Sequence, residues 1–363
     1  KSLKCLEKIT NYLKPDNVQA WFERAEHLHQ LRRDSEALDC LDKILEINPE
    51  LEADVLNNKG IILGQSGDEK GALECFELAL TKLGTIKHSQ LWLNKGTAFS
   101  GMNEDAKAIE CYEKALELEP DNAFALYNKA LSLNFLGEYP KALEFFDQAL
   151  NVLPIGTGEI QEWMFGIMVA RRKGETLLAL SHLDIETGTA PALIVFDLAL
   201  EAIADVTKVS NEFPFPDLPA LLFGKGIATE RLEVNEQDKA DVVNAALACY
   251  AQVLELKPEW GVIWFQMGCG WLDLAVRGQN VLTWEKVSLC FQKADEFSDT
   301  LNKKQIAVCK AWKKTMASKD ITKQEDFVQR FNDLMKHSIH PIVSANKGSK
   351  ENHPDSLNDP EDK

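Results

Sequence analysis

Residues 89–120 read SQLWLNKGTAFSGMNEDAKAIECYEKALELEP, and the positions of Ala108, Cys111, Tyr112, Ala115 and Pro120 within them return along the chain. Cys111 falls in one column with Cys5, Cys40 and Cys75, at successive spacings of 35, 35 and 36 residues, and the column continues at Cys249 and Cys290. Aligning on it brings Ala37, Ala72, Ala108 and Ala142 together, with Leu41, Phe76, Tyr112 and Phe146 four residues later. Ile44, Ala79, Ala115 and Ala149 form a further column. The units close on Pro49, Pro120 and Pro154, with Gly84 in the second. Self-similarity at about 34 residues is the period of a solenoid of helical hairpins.

These residues resemble the tetratricopeptide repeat family. The 89–120 unit carries the whole signature in Trp92, Gly96, Phe99, Ala108, Tyr112, Ala115 and Pro120. The unit before Pro49 carries Trp21, Ala25, Leu28 and Ala37; the next has Gly60, Leu63, Ala72, Phe76 and Ala79; the fourth has Ala130, Leu133, Gly137, Ala142 and Phe146. The resemblance implies an all-α fold, a right-handed α-α superhelical solenoid of helix-turn-helix repeats. The signature is one of packing: a small residue lets helix A approach helix B, and Trp, Leu and Phe fill the space around it. No unit buries its own apolar face, so stacking on neighbours supplies the stability.

The expected organisation follows the strength of the match. Residues 1–17 align Leu3, Cys5, Leu6, Ile9 and Pro15 with Leu38, Cys40, Leu41, Ile44 and Pro49, so the chain is expected to open inside a B helix, as a fragment with at least one further repeat upstream. Residues 18–156 hold four repeats. Residues 157–217 are expected to be a helical spacer or degenerate repeats, with an apolar stripe at Leu193, Phe196, Leu200 and Ile203. The segment Phe213-Pro-Phe-Pro-Asp-Leu-Pro219 ends it and is expected to be the main hinge. Residues 218–297 form two repeats (Gly226, Ala246 and Tyr250; Gly268, Phe291 and Ala294) with insertions around Glu233–Lys239 and Arg277–Thr283. Residues 298–343 read as capping helices, and 344–363, with only Ala345 and Leu357 apolar, as a disordered tail.

Composition narrows the function. A net charge of −17 over 363 residues argues against nucleic acid, which needs clustered Lys and Arg to displace counterions. The longest apolar run, Ala190–Ala204, is short and interrupted by Asp197 and Glu201, so no membrane span is expected. Cysteines at equivalent repeat positions lie about 10 Å or more apart, beyond disulfide reach, and are expected to be reduced core thiols. No Cys-x-x-Cys pair, phosphate loop or nucleophile elbow occurs. His27 and His29 diverge on a helix, and His337 and His340 lie near a helix end, so no metal, cofactor or catalytic residue is expected. Lys303, Lys304, Lys310, Lys313, Lys314 and Lys319 read as a solvated helix face in preference to an anion-facing patch.

The resemblance implies a concave groove lined by A helices, with the second, fifth, sixth, ninth and thirteenth repeat positions looking inward. The sixth position supplies Asn58, Asn94 and Asn128, with Gln266 in the last unit. This ladder is similar to one known in the family, in which amides pair with a peptide backbone through one acceptor and one donor. The same amides would equally serve folding or solubility. Phe22, Leu93, Phe124, Tyr127, Leu131 and Phe135 would form an apolar wall, or part of the core between repeats. A clamp for a terminal carboxylate is not supported, since Glu23 and Glu26 would repel it. The expected function is a non-catalytic cytoplasmic scaffold or adaptor binding a protein or peptide of basic or apolar character. The alternative is the regulatory or sensing region of a larger effector whose catalytic domain lies elsewhere.

Overall fold

The computed structural model describes residues 2–84, 88–153, 160–181, 185–209, 215, 217–278 and 281–317. Among the described residues all regular structure is helical, in two compact units, one reaching Val152 and one starting at Leu153.

In the first unit α1 (Ser2–Lys8) runs into a π turn, Ile9–Leu13. There follow α2 (Val18–Gln30), α3 (Asp34–Ile47), α4 (Glu52–Gln65), α5 (Glu69–Leu83), α6 (Ser89–Gly101), α7 (Asp105–Leu118), α8 (Ala123–Phe135) and α9 (Tyr139–Val152). They pack as consecutive A–B hairpins: α2 with α3, α4 with α5, α6 with α7 and α8 with α9. The alanine column Ala37, Ala72, Ala108 and Ala142 has no exposed surface. Large and small residues meet across each hairpin: a Cβ on Gly60 would lie 2.5 Å from the Phe76 ring, and one on Gly96 2.5 Å from the Tyr112 ring. The aromatic ring therefore sits directly on bare backbone.

Local chemistry sets where each helix begins and ends. The Asn17 and Asn122 side chains accept from the Ala20 and Ala125 amides and cap α2 and α8; Asp68 accepts from Gly71 and caps α5. Each A helix of the first unit stops at a left-handed residue in one repeat position, Arg32 (φ 59°), Gly67 (φ 90°), Asn103 (φ 61°) or Gly137 (φ 81°). The next amide then reaches back five residues, Arg33 to Leu28, Asp68 to Leu63, Glu104 to Phe99 and Glu138 to Leu133, each at 2.9 Å. Trp and Pro of the signature also have a joint role, since the Trp21 indole donates to the Pro15 carbonyl at 2.8 Å and Trp264 does the same to Pro258.

Neighbouring repeats are tied by a recurring ion pair that joins α4, α6 and α8 each to the preceding B helix. Lys59 meets Asp42 at 2.5 Å, Lys95 meets Glu77 at 3.0 Å and Lys129 meets Glu113 at 2.9 Å. The acids are exposed, so each pair contributes at most about 1 kcal/mol. The lysine stems add packing, with Lys95 over Trp92 and Phe99 and Lys129 over Phe145 at 4.2 Å.

The second unit contains α10 (Ile160–Leu180), α11 (Ile185–Val209), α12 (Leu218–Glu230), α13 (Lys239–Leu256), α14 (Gly261–Gly278), α15 (Val281–Glu296) and α16 (Lys303–Ala317). Here α10 and α11 pair as the other hairpins do: Phe196 covers Gly174, and Lys225 on α12 meets Asp197 on α11 at 2.6 Å. The same contact recurs between Gly226 and Tyr250 and between Gly268 and Phe291. The two insertions become a loop at 231–238 and longer helices, α13 and α14 having 18 residues each. They meet on one face, where Arg277 pairs with both Asp273 and Glu236. The last core closes with Trp284 stacked on Trp312 at 5.9 Å.

The division between compact units falls at Val152 and Leu153, not at the proline-rich segment expected to be the hinge. Phe196 of α11 also packs against Gly224 of α12, which holds those two helices in one unit across that segment. Phe213, Pro214 and Pro216 lie outside the described residues, as do Gly156–Gly158, His337, His340, Lys319, the second expected capping helix and the tail.

Candidate functional site

The candidate site is the A-helix face of the first unit. Three of its A helices come into direct contact, α4 with α6 and α6 with α8, so their side chains form a continuous surface, and α2 stands before them in the repeat order. At its middle the Asn94 amide donates Nδ2–H to Asn57 Oδ1 at 2.9 Å, and Asn94 Oδ1 accepts from Gln90 Nε2 at 3.0 Å. Asn58 donates to the Asp54 carbonyl of its own helix at 2.9 Å, while Asn128 is half-buried on α8. Asn57, at the fifth repeat position, was not expected in the ladder. An amide there, one repeat before an amide at the sixth position, is the signal that would have found it.

The remaining expected residues separate into two groups. Phe135 is 48% exposed, and Phe124 and Leu131 are half-buried, all on α8. Leu93, 5% exposed, packs with Ala108, Tyr112, Ala115 and Ala125 in the seam between α6, α7 and α8. Tyr127, 2% exposed, lies 6.0 Å from the Phe146 ring of the following B helix. Phe22 borders the core of the first hairpin. Position five therefore points into the seam when it carries a large apolar residue, and Leu93 and Tyr127 are core residues in this structure. Gln266 belongs to the second unit and is buried at 4% exposure.

At the other end of the face α2 presents exposed Glu23, hydrogen-bonded by Gln19 at 3.3 Å, and Glu26, hydrogen-bonded by Gln30 at 3.2 Å. Arg24 of the same helix turns away to Thr10 and Asn11, at 2.9 Å each. The order along the face is thus acidic, amide and apolar.

Nothing in the thiols adds chemistry here. All eight cysteines are free. Burial pushes the Cys111 thiol up to about 11 and those of Cys290 and Cys309 up to about 12, which leaves them protonated and inert at neutral pH. Cys5 departs from its column in being exposed. Among the described residues no group of three or more His, Cys, Asp or Glu side chains is placed to hold a metal ion, and no helix is long and apolar enough to cross a membrane.

Comparison with known proteins places this architecture. The chain is similar to anaphase-promoting complex subunit 3 of Schizosaccharomyces pombe, 22% identical over 143 residues, which span 38% of this chain and 20% of that protein. It is 39% identical over 67 residues to the uncharacterized protein MJ0572 of Methanocaldococcus jannaschii, covering 18% of this chain and 78% of that one. The chain thus spans about a fifth of the fission yeast relative's length. In fold it is similar to the C-terminal part of a TPR repeat-containing protein from Cytophaga hutchinsonii, with a TM-score of 0.54 and 15% identity over 79% of this chain and 98% of that one. Models of the tetratricopeptide repeat match residues 2–52, 53–81, 89–122 and 111–144, and the chain belongs to the tetratricopeptide repeat family.

Proposed function

We propose that this chain is a non-catalytic protein-interaction scaffold, and that the A-helix face of its first unit holds an extended peptide. The observation that carries the reading is the Asn57–Asn94 amide pair, which sets two fixed carboxamides side by side across neighbouring repeats. Each carboxamide has two N–H donors and two acceptor lone pairs, so the pair retains capacity for a peptide unit whatever the ligand's side chains. Asn58 and Asn128 extend the row to either side. The name of the fission yeast relative, a subunit of a complex, agrees with a scaffold role.

The test is a peptide array probed with the intact chain and with Asn58→Ala/Asn94→Ala/Asn128→Ala. The expected result is retained helicity, melting lowered by no more than the loss of the Asn57–Asn94 bond explains, and a general loss of spots, because each missing amide leaves ligand peptide groups unpaired, at about 1–3 kcal/mol each. Normal binding by a variant that melts much lower would make the amides structural and remove the reading.

A further inference from the structure

We infer that the ligand of this face is chemically polarised, with basic side chains at one end and apolar side chains about nine residues away at the other. The inference rests on the proposed groove and specifies its partner. Exposed Glu23 and half-buried Glu26 lie on α2, and exposed Asp54 on α4. The one arginine on α2, Arg24, donates to Thr10 and Asn11. Asn94 and its partners occupy the middle without charge. Phe124 and Phe135 stand on α8, with Phe135 48% exposed although it is apolar.

The order gives the length. Packed helices lie about 8–10 Å apart, so the three steps from α2 to α8 cover roughly 30 Å. An extended chain advances about 3.3 Å per residue, so roughly nine residues bridge the acidic and apolar ends. A basic side chain gains from Glu23 and Glu26 mainly through long-range attraction that salt screens. An aromatic or aliphatic side chain gains from covering Phe135, an interaction that salt does not weaken. One ligand thus has two separable signatures.

The probes are fluorescein-labelled peptides with two lysines, a seven-residue Gly/Ser spacer and Leu-Phe, made in both chain directions, with affinity read by anisotropy at two salt concentrations. Companion peptides replace Lys with Glu, shorten the spacer to three residues, or replace Leu-Phe with Ser-Ser. At least one direction of the parent is expected to bind, and all three companions to bind less tightly. Glu23→Gln/Glu26→Gln should weaken the parent by about threefold or more and flatten its salt dependence. Phe135→Ser should weaken it at both salt concentrations alike. Glu23 and Phe135 are exposed and Glu26 is half-buried with an isosteric replacement, so folding is expected to be preserved, and circular dichroism checks it. Equal affinity for the lysine and glutamate peptides, or for the long and short spacers, overturns the inference. If neither direction binds while array peptides still depend on Asn58, Asn94 and Asn128, the polarity is wrong and the groove stands. If the array peptides are also indifferent to those amides, the groove itself fails.

Discussion

Asn94 Nδ2 lies 2.9 Å from Asn57 Oδ1, joining helices that open successive repeats 37 residues apart in sequence. The bond is direct and part-buried, so the two amides are coupled in stability as well as in any ligand they share. Asn57→Ala and Asn94→Ala, singly and together, should show a coupling of about 0.5–1.5 kcal/mol in a double-mutant cycle read by urea unfolding. Simple additivity would mean that the amides do not support one another.

The ring-on-backbone contact makes a second prediction. Gly96→Ala drives a Cβ into the Tyr112 ring and should destabilise by about 1–3 kcal/mol. Adding Tyr112→Leu should recover part of that loss, because the first hairpin pairs Ala25 with Leu41 at the same positions, both buried. No recovery in the double variant would show that the loss does not arise at this contact.

The turns offer a gain. Arg32 adopts φ 59° where two of the other three repeats use glycine, and a left-handed conformation costs an L-residue with a Cβ about 1–2 kcal/mol. Arg32→Gly gives back some of this as unfolded-state entropy, so the expected net gain is about 0.5–1 kcal/mol in thermal melting. Gly137→Ala should move melting the other way by a similar amount.

A buried carboxyl sets a pH dependence in the second unit. Burial pushes the Glu230 carboxyl above the usual carboxylate range, although its oxygen accepts the Tyr250 hydroxyl at 2.7 Å. The folded state therefore holds this proton more firmly than the unfolded state. Its contribution is fully present below the unfolded carboxylate value and is lost as pH rises through the folded one. Glu230→Gln keeps an acceptor for Tyr250 and removes the charge. It should raise the melting temperature at pH 7 and leave it nearly unchanged near pH 4, as read by calorimetry at both values.

How far the sequence carried depended on whether packing fixed the residue type. Gly60 with Phe76, Gly96 with Tyr112, and the alanine column were legible because only a small residue fits beneath a ring or between helices. The α10–α11 hairpin was hidden because Gly174 and Phe196 stand 22 residues apart, where Gly96 and Tyr112 stand 16 apart. Its longer helices broke the period while keeping the contact. In the site, Asn94 could be placed by register alone. Leu93 and Tyr127 could not, since position five borders both the open face and the seam, and a large apolar side chain there turns into the seam. Asn57 at that position turns instead to Asn94. The division at Val152 lies beside Pro154, which reads like the Pro49 and Pro120 that close ordinary repeats, whereas the prolines before α12 drew attention to a place whose flanking helices, α11 and α12, belong to one unit.

The central claim, that the A-helix face of the first unit holds a peptide, is tested most directly by mapping where a bound peptide touches. A lysine–spacer–Leu-Phe peptide carrying a diazirine at its centre would be photolysed on the intact chain and the labelled residues identified by mass spectrometry. The account predicts adducts on α4 and α6 around Asn57, Asn58 and Asn94, reaching α8 when the diazirine is moved next to Leu-Phe. Adducts confined to the B helices α3, α5 and α7, or to the second unit, would contradict it.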